Sequence, residues 1–169
     1  MYALDLADIA DQISDLPLAT AIRTGQSWHW LFPTVETLHV IAITTVFGSI
    51  ILLDLRLLGW METRSPVSRY VRELLPLTWI AFGLAVTTGA LLFIANAPKY
   101  VFLLQFRLKI VFIVLAGINM LIFHLGAYRR VGDWNIQSPP PVSARVAGLA
   151  SIICWTAVVF LGRWIGFVV

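Results

Sequence analysis

The sequence predicts an all-α membrane protein, a transmembrane four-helix up-down-up-down bundle with a short amphipathic N-terminal helix. Apolar content, four runs of spanning length and the short breaks between them lead to that architecture. Of the 169 residues, 59% are hydrophobic and 12% charged, and the mean hydropathy is +0.85. Soluble domains are about 45–50% apolar and about 25% charged. A globular domain of this length has too little interior to hide so much apolar surface, whereas a bilayer accepts it.

A spanning helix needs about 20 mostly apolar residues. Four runs qualify, at about 31–58, 74–95, 108–128 and 146–169, within a transmembrane domain over 28–169. The breaks carry turn chemistry. Glu62-Thr63-Arg64-Ser65-Pro66 separates the first pair, Asn96-Ala97-Pro98-Lys99 opens the second loop, and Gly132-Asp133-Trp134 through Pro139-Pro140-Pro141 makes the third. Proline cannot donate to a helix ladder and marks such exits. Short loops force antiparallel neighbours. Gly48, Gly83, Gly89 and Gly117 are the positions expected to let helices approach closely.

Residues 1–27 form a separate interfacial region. Tyr2, Leu6, Ile9, Ile13 and Leu16 recur every three or four residues, with Asp5, Asp8, Asp11 and Asp15 mostly between them. That pattern is an amphipathic helix, too polar to span, lying at the membrane surface or packed over the bundle mouth. Pro17 ends it, and a second short helix is expected before Trp28. No signal peptide is visible: the acidic start is the reverse of a basic n-region, so the first span is expected to direct its own insertion.

The net charge is +3 and the arginines sit at segment ends, a pattern that argues against nucleic-acid binding. The single Cys154 rules out an intramolecular disulfide and a thiolate zinc site. Arg56, Arg64, Arg69, Arg72, Arg129, Arg130 and Arg145 fall on one side of the bundle, against Arg23, Lys99, Arg107, Lys109 and Arg163 on the other. The richer side is expected to be cytoplasmic. That orientation puts both termini in the periplasm of a bacterial inner membrane. Trp28, Trp30, Trp60, Trp79, Trp134 and Trp164 fall near segment ends, where aromatic belts form.

Charges in hydrocarbon are costly, so polar groups at depth are the best functional clues. They form two layers. Glu36 and His39, three apart on one helix face, join Lys109 and Arg163 in the outer layer. Asp54, Arg56, His124 and Arg145 make the inner layer, with Asn119 nearer the bilayer centre. Asp54 follows Glu36 by eighteen residues, as Arg163 follows Arg145, which is five turns of helix. Three helices are thus expected to turn a polar stripe toward one interior. His29 lies between two tryptophans at the interface and reads as structural.

Histidines on bundle helices are common ligands of b-type haem. His39 and His124 lie on helices of the same direction and differ in height by about 20 Å, too far for one iron. His29 is about 15 Å from His39 along the same segment if helical. A haem on one histidine, His39 first, or shared between two copies stays open. His39, His124 and Arg163 are the candidate cofactor-binding residues, and His39 is the candidate metal ligand. Copper on His39 with Met120 or Met61 has less convincing spacing.

The chain resembles an uncharacterised family of small bacterial four-span inner-membrane proteins. The resemblance rests on Ala21-Ile22-Arg23, Trp30-Leu31-Phe32-Pro33, Glu36-Thr37-Leu38-His39, Asp54-Leu55-Arg56-Leu57-Leu58-Gly59, Phe106-Arg107-Leu108-Lys109, Phe123-His124 and Gly162-Arg163-Trp164. It covers nearly the whole chain, implies the fold and brings no established activity. More distantly, the first three spans look like the copper-resistance D-type domain and the bacterial membrane protoporphyrinogen oxidase. His39, Arg56, Lys109 and His124 sit at similar spacings. The oxidase binds haem b, and its matching histidine and lysine are functional, so the resemblance implies such roles for His39 and Lys109. Val46-Phe47-Gly48 stands where that pattern has a tryptophan, and Ile110 where it has a leucine.

The leading functional expectation is a small haem-b-associated redox protein. Glu36, His39 and Lys109 are its candidate catalytic residues. Lys109 and Arg163 would pair with propionates or an acidic substrate, and Glu36 would orient His39 or relay protons. The rival is a non-enzymatic accessory subunit or a carrier of a small ion or metal. Expected partners are the lipid bilayer and a second copy or a redox protein. Nucleophilic catalysis finds no serine or cysteine elbow and no phosphate loop.

Overall fold

In hydrocarbon every backbone N–H and C=O must be satisfied within the chain, so long apolar runs fold as helices. The computed structural model describes residues 6–24, 30–61, 65–136 and 139–168. Tyr2, Asp5, Trp28, His29, the stretch 62–64 and Val169 lie outside the described residues. Two short helices, α1 (Leu6–Ser14) and α2 (Pro17–Thr24), precede the first span, α3 (Leu31–Leu58). Then come α4 (Val67–Ala95), a short α5 (Ala97–Phe102), α6 (Leu104–Leu125), a 3-10 stretch (Ala127–Asp133) and α7 (Val142–Val168).

The four long helices have 28, 29, 22 and 27 residues. At 1.5 Å per residue each is about 33 Å or longer, enough to cross a core of about 30 Å. The first span keeps its expected limits. The second begins seven residues earlier than 74, because Arg69, Arg72 and Glu73 lower the local hydropathy without breaking the helix. All three are exposed at its first turns. Pro76 stands inside this helix, which spanning helices tolerate better than soluble ones. The third span starts at Leu104 rather than 108 and gives way to 3-10 geometry before 128. The fourth starts at Val142, straight after the prolines, rather than at 146.

Helix α3 packs against both α4 and α7, and α7 packs against α6. The α3–α4 seam is built from small side chains: Ala42, Val46 and Ser49 on α3, and Ala81, Ala85 and Thr88 on α4, all buried. Two polar bonds set its register. His39 Nδ1 lies 2.9 Å from Thr88 Oγ1, and Ser49 Oγ lies 2.7 Å from Thr78 Oγ1. The second pair is ten residues forward on α3 and ten back on α4, as an antiparallel contact requires. The α3–α7 seam closes at Gly148, where a Cβ would stand 3.1 Å from the Asp54 carbonyl oxygen and 3.2 Å from Leu57 Cβ. By contrast, a Cβ at Gly48, Gly83 or Gly117 would meet nothing within 4 Å. Those glycines do not make the close helix contacts expected of them.

The two ends of the bundle are closed differently. At the α5 end, Phe93 of α4 stacks on Phe106 of α6 at 5.2 Å, and Tyr100 of α5 stacks on both. At the opposite end, Leu57, Val67, Val71, Phe123, Trp134 and Ala144 form a buried cluster. Trp134 is therefore core, not part of an interfacial belt; Trp30, Trp60, Trp79 and Trp164 are exposed. Arg56 is fully buried there and donates to the carbonyls of Ser65 and Asn135. Asn135 in turn caps α4 from outside it. Its carbonyl accepts from Val67 N–H, and its Oδ1 accepts from Ser68 N–H at 3.0 Å. Helix α3 ends at Gly59 in a left-handed conformation (φ 80°), with Gly59 and Trp60 N–H returning to Arg56 and Leu55 carbonyls.

Helix α1 packs on α5, and α2 on α4. They bury Ala10, Ser14, Ala19 and Ile22. Leu6, Ile9 and Leu16 are exposed, so part of the expected apolar stripe faces away from the bundle. Asp8, Asp11 and Asp15 are exposed as well.

Replacing Arg56 with Met is expected to destabilise the protein by about 1–3 kcal/mol, because buried carbonyls lose their donor. A lower thermal midpoint in detergent, with faster proteolysis around residue 65, would show it. Gly148→Leu is expected to force α3 and α7 apart at a cost of about 1–3 kcal/mol. The same melting experiment checks it.

Candidate functional site

Each polar layer rests on side chains that helices carry into the bundle. In the half nearer α5, the half-buried His39 imidazole is fixed by α4. The Thr88 hydroxyl donates to the Leu84 carbonyl at 2.7 Å. Its one proton is thereby used, so it accepts from His39, and the ring proton sits on Nδ1. Nε2 then carries the lone pair. Gly89 makes room for the ring: a Cβ there would stand 2.9 Å from His39 Cε1.

Lys109 arrives from α6. Its ammonium lies against α7 at Gly162, where a Cβ would stand 3.2 Å from Nζ. It is near enough to His39 for their charges to interact. Among the described residues no carboxylate pairs with it. The ion pair found there joins Arg69 and Glu73 at 2.8 Å on the exposed start of α4, a surface contact worth little.

Glu36 and Arg163 do not join this pair. Glu36 is exposed, and its carboxylate acts on Tyr100 of α5. Burial first, and then Glu36, push the Tyr100 hydroxyl above its ordinary value, so it stays protonated. Arg163 is exposed, with its guanidinium carbon 4.8 Å from the centre of the Phe167 ring. Of the expected outer layer, His39 and Lys109 lie within reach of each other's charge, whereas Glu36 and Arg163 are exposed.

The other layer surrounds a cavity of about 170 Å³ bounded by α3, α4, α6 and α7. Asp54, Thr78, Asn119, His124 and Ser151 are its polar lining. Asp54 is 4% exposed. Ser151 approaches its carboxyl from α7. Asn119 Nδ2 donates to the Ala147 carbonyl at 2.9 Å, tying α6 to α7. His124 Nδ1 donates to the Met120 carbonyl at 2.9 Å. Arg145 is exposed. The arginines of α7 therefore face outward, and of the α3 pair only Asp54 turns inward.

Haem b asks for an imidazole with an open nitrogen and a cation for a propionate. His39, with Nδ1 turned to Thr88, and Lys109 are of those two donor types and are the residues that would hold such a group. His124 belongs to the far half, beside a cavity that His39 and Lys109 do not line. It does not complete an axial pair with His39. Among the described residues no three His, Cys, Asp or Glu side chains gather to hold a metal ion.

Thr88, Gly89, Gly162 and Ser151 shape these sites; the sequence marks Gly89 for close helix approach and Gly162 within a motif, but it passes over Thr88 and Ser151. Gly89 follows a threonine on a helix face that meets His39. That local pattern, a small residue beside a hydroxyl, is the one signal available.

Thr88→Val is expected to release the imidazole into a mixture of tautomers, and Gly89→Ala to displace the ring. Imidazole ¹⁵N shifts of the labelled protein in lipid nanodiscs would read both, against one Nδ1-protonated form in the unaltered chain.

Neither a comparison with the curated proteins nor one with solved structures finds a match. A family model described as a family of unknown function (DUF6644) matches residues 22–168, taking in all four spans and both polar layers. The chain is a small multi-span membrane protein and belongs to this family of unknown function.

Proposed function

We propose that the protein is a small redox protein of the bacterial inner membrane that binds an acidic, largely apolar ligand at His39 and Lys109, with haem b as the ligand. One observation carries this reading. The Lys109 ammonium lies against Gly162 within charge reach of His39, on a helix long and apolar enough to cross a membrane, and no carboxylate pairs with it among the described residues. A cation in hydrocarbon costs several kcal/mol unless it is paired or reaches water. A carboxylate delivered by the ligand would offset that cost through a charge-assisted bond.

The residues divide the work. Lys109 binds and orients the acidic group. Thr88 holds the proton on His39 Nδ1, which aims Nε2 at an iron or at a transferable proton. Gly89 and Gly162 keep both groups close to the helices. Tyr100, protonated and beside Glu36, is a second donor at the same end. When bound, haem b supplies one-electron chemistry at its iron.

The test is the visible spectrum of protein purified in mild detergent from haem-replete cells, followed by hemin titration. A Soret band is expected. His39→Ala should shift or abolish it, and Lys109→Met should weaken hemin binding about tenfold or more. A colourless protein that does not take up hemin would overturn the proposal and leave the accessory-subunit reading. So would a Lys109→Met variant with unchanged affinity.

A further inference from the structure

The cavity in the half away from α5 has chemistry that the His39–Lys109 site does not use. Two of its buried polar atoms, Asp54 Oδ2 and His124 Nε2, have no hydrogen-bond partner among the described residues. Both lie on the cavity lining, on α3 and α6. His124 Nδ1 is committed as a donor to Met120, so Nε2 can only accept. Asp54 Oδ2 accepts when the carboxyl is ionised and donates when it carries the proton. Buried polar atoms left bare are rare and costly, and two in one cavity call for an occupant whose hydroxyl both donates and accepts.

Shape and lining narrow the class. The cavity holds about 170 Å³, close to the roughly 150 Å³ that admits a benzene ring. Aromatic side chains dominate one side: Trp79 meets Phe82 edge to face at 6.0 Å, and Phe82 meets Trp155 at 6.3 Å. The bundle is also open laterally. Away from the Phe93–Phe106 stack, α4 and α6 scarcely touch each other. Leu75 and Trp79 on α4 face Ile113, Gly117 and Met120 on α6 across this gap. A Cβ at Gly117 would meet nothing within 4 Å, so the gap has room beside it.

From this geometry we infer that the cavity is a second binding site, for the aromatic hydroxyl headgroup of a membrane-dissolved phenol or quinol, whose apolar tail leaves between α4 and α6. The hydroxyl hydrogen goes to His124 Nε2, and the hydroxyl oxygen accepts from the Asp54 carboxyl in its protonated form. The ring packs among Trp79, Phe82 and Trp155. The bilayer supplies the ligand sideways. This site stands independently of haem binding, since it shares no residue with the His39–Lys109 pair.

The full chain in lipid nanodiscs tests it, with 4-octylphenol as probe, its methyl ether as the donor-free control and tryptophan fluorescence as readout. Saturable quenching by the phenol is expected, with the ether binding about tenfold more weakly, as the loss of a hydrogen bond into a dry site implies. Gly117→Leu, placed where the backbone has space, should block the phenol while leaving the melting temperature unchanged. His124→Phe should reduce the preference for phenol over ether. Equal binding of phenol and ether would overturn the inference, as would non-saturable quenching indifferent to Gly117→Leu. Either result would mean that the cavity's polar atoms hold no ligand hydroxyl.

Discussion

The seam between α3 and α4 is the contact on which the rest of the molecule depends. Lipid tails give apolar helices no reason to prefer one another, so association rests on close packing and on the few polar bonds that cross between helices. Here the packing comes from alanines, a valine and small hydroxyl residues. The register comes from His39 with Thr88 and Ser49 with Thr78. A slip by one residue would break both of these bonds between the helices. The bond that fixes the fold at its α5 half is thus the same bond that orients the His39 imidazole.

With α3 and α4 locked together, α3 has one further face for α7, and Gly148 lets the two backbones meet beside Asp54. Helix α6 then reaches the bundle through α7. This chain of contacts keeps α4 and α6 on opposite flanks and leaves an interior space between them. Arg56 and Asn135 hold the far end shut by joining the end of α3, the start of α4 and the segment after the 3-10 stretch. Aromatic stacking does the corresponding work at the α5 end. Structural rigidity and room for a ligand come from one arrangement.

Much of this architecture could be read from residue order. Four apolar runs and their proline-marked breaks define four antiparallel helices, and the α3 limits coincide with the first run. The depth of His39, Asp54, Lys109 and His124 was also legible, because charge in an apolar run is conspicuous. Direction was harder. Arg145 and Arg163 share a helix face with the periodicity that Glu36 and Asp54 share, yet the two arginines are exposed, whereas Asp54 is buried and Glu36 is not. Helical period says which residues lie together on a face; it does not say whether that face meets protein or lipid. The same ambiguity affects α1, whose leucines and isoleucines could have faced either medium. Trp134 has the sequence position of an interfacial anchor but lies in the core, because the loop carrying it folds back onto α4.

The outward face of α1 bears on the shape of the surrounding lipid. A plain four-span bundle wears an even annulus about one hydrocarbon thickness tall. Here Leu6 and Ile9 of α1, and Leu16 just after it, are exposed outside the four long helices. Exposed Asp8, Asp11 and Asp15 alternate with them, so a membrane surface would meet a shelf part greasy and part charged instead of a plain wall.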